Sequence, residues 1–145
     1  MNKIEKNSCD RENRYIEVII DNLNLEQKVS QILCKIGIPV HLTGYQYLRT
    51  AIIMVVENNE MISQITKNLY PRLAQKYNST PSRIERAIRH AVEVTWNRGQ
   101  IEFIQNIFGY TVDSNRGRPT NSEFIAIVAD KIQLENKLKK GDNVW

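Results

Sequence analysis

The chain has 145 residues, of which 41% are hydrophobic and 25% charged, an ordinary composition for a globular domain. This composition excludes a disordered chain, a collagen and a disulfide scaffold. The longest apolar run, residues 51–56, is too short to span a membrane. The sequence does not open on a signal-peptide pattern, and its two cysteines lack metal-ligand spacing. We therefore expect a cytoplasmic protein with no membrane association, no metal site and no cofactor.

The N-terminal region predicts a tail followed by one domain. Residues 1–14 are polar, and residues 15–20 leave strand and helix both open. Asn24 with Gln27 three residues later predicts the N-cap of a helix that ends at Gly37. We expect a flexible segment over residues 1–23, one domain over 24–140 and a short tail over 141–145.

Helical patterns continue along the rest of the chain. A second helix is predicted from Thr43 to the two asparagines at 58 and 59, and residues 61–69 are helical by pattern. Pro71 either kinks this region or opens a new short helix over residues 72–77.

Two further helix starts are marked by caps. Thr80 and Pro81 predict a helix that ends near residue 97. Residues 101–108 form a short apolar segment, and a loop over 110–119 follows it. Thr120 and Glu123 form a capping box before a last helix that buries Phe124 and ends near residue 139. The fold class predicted is all-α, a bundle of six or seven helices.

Residues 73–92 have the pattern of a helix-turn-helix. Ala74 supplies the small residue that a tightly packed first helix needs. Four residues later, Asn78 tolerates the positive φ of a sharp turn. The second helix then places one apolar face inward, made of Ile84, Ala87, Ile88, Ala91, Val94 and Thr95.

The opposite face of that second helix is polar and basic. It carries Ser82, Arg83, Glu85, Arg86, Arg89 and His90. Arginines at i, i+3 and i+6 near a helix N-terminus lie where helix-turn-helix proteins read the major groove, and a guanidinium can donate twice to guanine. Glu85 can accept from a cytosine amino group or orient an arginine. The alternative is a structural hairpin in which Arg89 pairs with Glu85 and Glu93.

The positive charge of the chain is concentrated around this pattern. Residues 67–98 hold seven basic and two acidic residues, a net charge of +5, whereas the rest of the chain carries −1. Local excess of this kind is typical of a surface that binds a polyanion, although a solvated helix surface has the same composition. We expect Lys76 to contact a phosphate of double-stranded DNA.

Several longer strings carry a resemblance to a known family. They are IGIPVH at 36–41, GYQYLR at 44–49, ITKNLYP at 65–71, SRIERAIRHA at 82–91, WNRG at 96–99, FGYTV at 108–112 and PTNSEFIA at 119–126. In this order they resemble the C-terminal DNA-binding effector domain of stage zero sporulation protein A, the response regulator of sporulation in endospore-forming bacteria. The resemblance covers residues 25–138.

The resemblance implies a six-helix effector domain that binds a short box like TGTCGAA, commonly as tandem dimers. Glu85, Arg86 and Arg89 match its base-reading positions, and Arg83 and His90 match the same DNA-facing surface. Residues 100–112 match the surface that contacts the sigma subunit of RNA polymerase. Within it we expect contacts from Gln100, Glu102, Phe103, Gln105 and Asn106. The last helix matches the region associated with dimer formation.

The sequence resembles only the effector domain of the family's regulator. In that regulator a phosphoacceptor receiver domain precedes the effector domain, and the resemblance does not include it. The sequence therefore leaves open an isolated effector domain and a receiver-less relative. We expect a nucleoid-associated transcription regulator rather than an enzyme, because no nucleophile–base pattern or pair of catalytic carboxylates is present. The alternative is a receiver-less interaction module or decoy that binds sigma factor or a full-length regulator.

Overall fold

The structure, a computed structural model, describes residues 3–98, 104–106 and 117–139. All regular structure in these ranges is helical, which confirms the predicted all-α class. The main elements are α1 (Lys3–Ile36), α2 (Thr43–Glu57), α3 (Tyr70–Lys76), α4 (Pro81–Arg98) and α5 (Asn121–Lys139). Residues 104–106 are helical as well.

The first helix is longer than the sequence pattern indicated. Because α1 runs without a break from Lys3 to Ile36, Asn24 lies inside the helix and its predicted role as an N-cap is wrong. The undecided residues 15–20 are helical. Residues 3–36 contain no glycine or proline, so no residue in this stretch interrupts the helix. The domain boundary between residues 23 and 24 falls within α1 and stays a prediction.

The C-terminus of α1 ends as predicted, at a glycine. Gly37 has a φ of 102°, in the left-handed region that glycine adopts without a steric cost. The Gly37 N–H donates to the Cys34 carbonyl at 3.1 Å and the Ile38 N–H donates to the Leu33 carbonyl at 3.0 Å, which is a Schellman motif. Ile38 is buried, whereas Cys34 is exposed on the outer side of the helix.

Residues 59–76 form a continuous helical run with changing geometry. A 3-10 turn (Asn59–Gln64) is followed by a π-helical turn (Ile65–Leu69), and α3 begins directly after it. Pro71 lies in the first turn of α3, where its missing N–H has no helical partner to lose. The second alternative for Pro71, that it opens a short helix, is confirmed.

The connection between α3 and α4 is a short turn with the predicted chemistry. Asn78 has a φ of 51°, the left-handed conformation expected at this position. The Ser79 N–H donates to the Ala74 carbonyl at 2.8 Å, and the Thr80 hydroxyl accepts from the Arg83 N–H at 3.3 Å. With Pro81 as the first residue of α4, these contacts make α3, the turn and α4 fit the predicted helix-turn-helix.

Helix α2 lies at the centre of the bundle and packs against α1, α4 and α5. At the start of α2, Gly44 lets the backbones of α2 and α4 approach closely. A Cβ at this position would overlap the carbonyl oxygen of Ala87 and lie 2.8 Å from the Cβ of Ala91, both in α4. The turn after α3 is also tied to α2, because the Tyr77 hydroxyl lies 2.6 Å from the Thr50 hydroxyl. Helix α2 thus contacts α4 at Gly44 and the turn before α4 at Thr50.

The last helix begins and packs as predicted. The Thr120 hydroxyl accepts from the Glu123 N–H and donates to the Glu123 carboxylate, each at 3.2 Å, so these residues form a reciprocal cap. The apolar face of α5 is completely buried: Phe124, Ile125, Val128 and Ile132.

Candidate nucleic-acid interface

The buried face of α4 fixes which side chains remain outside. Ile84, Ile88, Ala91 and Thr95 are buried as predicted, and the buried Thr95 hydroxyl donates to the Ala91 carbonyl at 2.6 Å. Val92 is buried although it lies outside the predicted arc, whereas Ala87 and Val94, which were predicted to face inward, are only half-buried. The difference arises because α5 packs against α4 on the flank that carries Val92, which the sequence pattern of α4 alone does not reveal.

The predicted DNA-reading face of α4 is open to solvent. The residues Ser82, Arg83, Arg86, Arg89 and His90 are exposed, and Glu85 is half-buried. Among the described residues, neither Arg83 nor Arg86 forms an ion pair. The outer side of α4 therefore presents two unneutralised guanidinium groups, beside a third that is paired.

That third arginine contacts a carboxylate of its own helix. Arg89 lies 3.4 Å from Glu85, one turn earlier; the Arg89 side chain is exposed by 51% and the half-buried Glu85 keeps 37% of its side chain exposed. The alternative prediction of a structural ion pair is thus confirmed for Glu85. It is wrong for Glu93, which contacts Arg118 instead, at 3.4 Å. Since both pairs are solvent-exposed, each contributes less than about 1 kcal/mol and can be exchanged for a stronger partner.

Lys76 lies in the last turn of α3, in a cleft that it shares with residues of α1 and α2 such as Glu26, Arg49 and Glu57. Its side chain is exposed, and its ammonium lies 5.8 Å from the centre of the Tyr77 ring. The lysine therefore stands before the turn that leads into the N-terminus of α4. The contact of Lys76 with a DNA phosphate stays a prediction.

The sequence did not reveal how α5 holds α4. The Asn121 side-chain amide donates to the carbonyl oxygen of Glu85 and to the Tyr70 hydroxyl, both at 3.1 Å. One residue at the start of α5 thereby contacts both helices of the helix-turn-helix. The only signal in the sequence was that residue 121 directly follows the Thr120 cap.

The Tyr70 hydroxyl at this junction is shielded from water. Burial raises its pKa above the usual value, and the negative charge of Glu85 acts in the same direction. The hydrogen bond from Asn121 and the positive charge of Arg89 oppose the increase in pKa. Tyr70 is therefore neutral over the physiological range, where its oxygen can accept from Asn121.

A cavity of about 420 Å³ opens beside this junction, between α4, the start of α5 and the π-helical turn. Helix α4 contributes Glu85, Arg89 and Val92 to its wall. The opposite wall consists of residues 118–122, and Thr66 and Tyr70 close one side. Two arginines, Arg89 and Arg118, line this cavity next to the predicted DNA-binding face.

The residues of this interface fall within a match to a protein family. The family model described as sporulation initiation factor Spo0A C terminal matches residues 29–132, more than two thirds of the chain. The chain belongs to this family. It is therefore an all-α, DNA-binding domain of the kind that regulates transcription in sporulation, and the family is not an enzymatic one.

The Spo0A C-terminal match contains the helix-turn-helix, the cavity and most of α5, and it begins in the second half of α1. The predicted sigma-contact residues lie within the match but mostly outside the described ranges: Gln100, Glu102 and Phe103 are not described. Gln105 and Asn106 are exposed and helical, next to the buried Ile104.

None of the described helices of this chain is both long and apolar enough to cross a membrane. The described His, Cys, Asp and Glu side chains do not gather anywhere in groups of three or more that could hold a metal ion.

Proposed function

We propose that this protein binds a short box in double-stranded DNA sequence-specifically, by placing α4 in the major groove, and thereby regulates sporulation-type genes as a nucleoid-associated protein. The observation that carries this proposal is the exposure of three arginines on one side of α4 in a region of net charge +5. In the proposed complex Glu85, Arg86 and Arg89 read bases, while Ser82, Arg83 and His90 lie on the same DNA-facing surface.

The spacing of the three arginines suits base reading. At about 1.5 Å rise per residue, Arg83, Arg86 and Arg89 extend over about 9 Å of helix axis. That length corresponds to between two and three base pairs at about 3.4 Å each. Successive positions rotate by about 60°, so Arg86 points away from the core and its two neighbours point towards the walls of the groove. This arrangement favours Arg86 as the central base contact.

Glu85 supports the proposal as an orienting residue. Its carboxylate is 3.4 Å from the Arg89 guanidinium, and its carbonyl is held by Asn121. A guanidinium that is already oriented loses less side-chain entropy on binding. The same carboxylate can accept from a cytosine amino group once the helix lies in the groove.

The test is a binding titration with base substitutions in the box, using fluorescence anisotropy at fixed salt. Arg86→Ala and Arg89→Ala should each cost about 1–3 kcal/mol, roughly 5- to 150-fold in Kd, and relax the preference at one position. Lys76→Ala should weaken binding to all sequences alike. Lys35→Ala, which removes an exposed charge in the last turn of α1, is the control. Unchanged affinity and unchanged base preference in both arginine variants would refute sequence reading by α4.

Dimer formation on tandem sites and sigma contact are part of the same proposal. The C-terminal half of α5 leaves Leu134 and Leu138 exposed, at 43% and 62%, so this helix has apolar surface available for a second copy. The exposed Gln105 and Asn106 support a contact with the sigma subunit of RNA polymerase.

A second candidate function is that of a receiver-less interaction module or decoy, which binds sigma factor or a full-length regulator. Exposed apolar residues on α1 favour it: Tyr15, Ile16, Val18 and Ile19. Titration against purified sigma subunit and against a box-containing duplex separates the two functions. Tight sigma binding without DNA sequence preference would support the decoy, whereas sequence-specific DNA binding with a steep salt dependence would support the regulator.

A further inference from the structure

The cavity beside α4 lies on one flank of the reading helix. Glu85, Arg89 and Val92 belong to this flank, since they follow one another at helical spacing of three and four residues. The cavity is lined on its far side by Arg118 and by the first turn of α5. Its volume of about 420 Å³ is far above the roughly 10–15 Å³ that a single water needs on the same measure, so this open cleft has room for a larger group.

The dimensions of DNA determine what reaches this flank. The major groove is about 12 Å wide, and an α-helix with its side chains is about 10–12 Å across. When the Arg86 side of α4 faces the bases, the two flanks of the helix consequently approach the two phosphate backbones that border the groove. The cavity and Arg118 then lie beside one of these backbones.

Part of the lining of the cavity suits a phosphate group, while the Glu85 carboxylate and the apolar Ile65 and Val92 line it as well. Arg118 is exposed by 42% and can donate to phosphate oxygens in bidentate fashion. Thr66 and Ser122 supply hydroxyl groups. The wall also includes the first turn of α5, whose N–H groups and dipole favour an anion.

The contact that Arg118 makes in the free protein is replaceable. Its guanidinium lies 3.4 Å from Glu93, whose side chain is exposed by 48%, so water screens the pair. A phosphate at the cavity mouth would offer Arg118 a charge-assisted and more directional partner. Because Glu93 is on α4, the release of this pair would coincide with the docking of α4.

We propose that Arg118 binds a backbone phosphate of the duplex at the mouth of this cavity and exchanges its contact with Glu93 for that phosphate. This inference rests on the proposed function. It adds a second element, the loop before α5, to the DNA interface. Arg118 then sets affinity and orientation, and it leaves the base preference to α4.

The first experiment measures the salt dependence of DNA affinity for the wild type and Arg118→Ala. One lost phosphate contact should reduce the slope of log K against log salt by about 0.9. Between 50 and 200 mM salt, the loss of affinity should therefore be about 3.5-fold smaller than in the wild type. The base preference should not change, and Arg118→Lys should restore most of the slope.

The second experiment tests the exchange with Glu93. Glu93→Gln should raise DNA affinity in the wild-type background and raise it much less in the Arg118→Ala background, because only the first case releases Arg118. Thermal melts followed by circular dichroism verify that all variants are folded. Lys35→Ala, which removes a charge outside the cavity, gives the effect of net charge alone.

Two outcomes overturn the inference. The first is that Arg118→Ala and Lys35→Ala have the same slope of log K against log salt. The second is that Arg118→Ala changes the base preference and leaves the slope unchanged. The proposed function fails by a different result, namely unchanged affinity and unchanged base preference in both Arg86→Ala and Arg89→Ala. The failure of one is thus distinguishable from the failure of the other.

Discussion

Replacing Gly44 with alanine should destabilise the protein, although alanine is the better helix former. A Cβ at this position would overlap the Ala87 carbonyl oxygen and lie 2.8 Å from the Ala91 Cβ. Carbon atoms in favourable contact are about 3.5–4.0 Å apart. The obstructing oxygen belongs to the backbone of α4 and cannot rotate away, so α4 itself must shift.

The magnitude follows from two opposing contributions. Inserting a methyl group into a packed site costs about 1–3 kcal/mol. Exchanging glycine for alanine in a helix returns at most about 1 kcal/mol. Since a backbone atom must move, we expect a net loss of about 1–2 kcal/mol in the free energy of unfolding. For a chain of this length, that loss lowers Tm by about 3–8 °C.

Urea denaturation and thermal melts measure this loss directly. Gln46→Ala is the matched control, because Gln46 is exposed in the same helix and its replacement should change stability little. DNA affinity of Gly44→Ala should also fall, since the shifted helix is α4. A Gly44→Ala protein as stable as the wild type, or more stable, would refute the close approach of α2 and α4.

Two further predictions concern the turn and the junction. Asn78→Ala should lower the free energy of unfolding by about 1–2 kcal/mol in urea denaturation, because residue 78 has a positive φ. Asn78→Gly should leave this free energy unchanged or raise it. Equal losses in the two variants would contradict the turn geometry. For Tyr70, burial raises the pKa in the folded state, so above pH ~10 the unfolded chain loses this proton first and stability falls as pH rises. Tyr70→Phe should therefore show a shallower decline between pH 9 and 11; an identical pH dependence would argue against a buried hydroxyl at this site.

Much of the helix-turn-helix was predictable because its signals are local. Asn78, Thr80 and Pro81 act on their own backbone or on residues three positions away, and each behaves as predicted. The exposed arginines of α4 followed from helical periodicity alone. The turn, the cap and the exposed face of α4 each depend on residues that are close in the sequence, so one sequence is enough to predict them.

The remaining features depend on contacts between distant parts of the chain or on the absence of a signal. Asn24 is a residue type that is common at helix N-caps, yet the residues before it are already part of α1. Val92 is buried because α5 covers its flank, and Asn121 meets Tyr70 across 51 positions of sequence. Periodicity within one helix carries no information on which other helix covers it.

The two hydrogen bonds of Asn121 join the start of α5 to α3 and to α4. Its amide donates to the carbonyl of Glu85, so a displacement of the N-terminus of α5 would also act on α4, the helix proposed to read bases. If a second copy docks on the far end of α5 and thereby alters affinity for the duplex, thermodynamic reciprocity requires that the duplex alter the affinity of the copies for each other by the same factor. A single asparagine would in that case link cooperative assembly on adjacent boxes to the fit of each box.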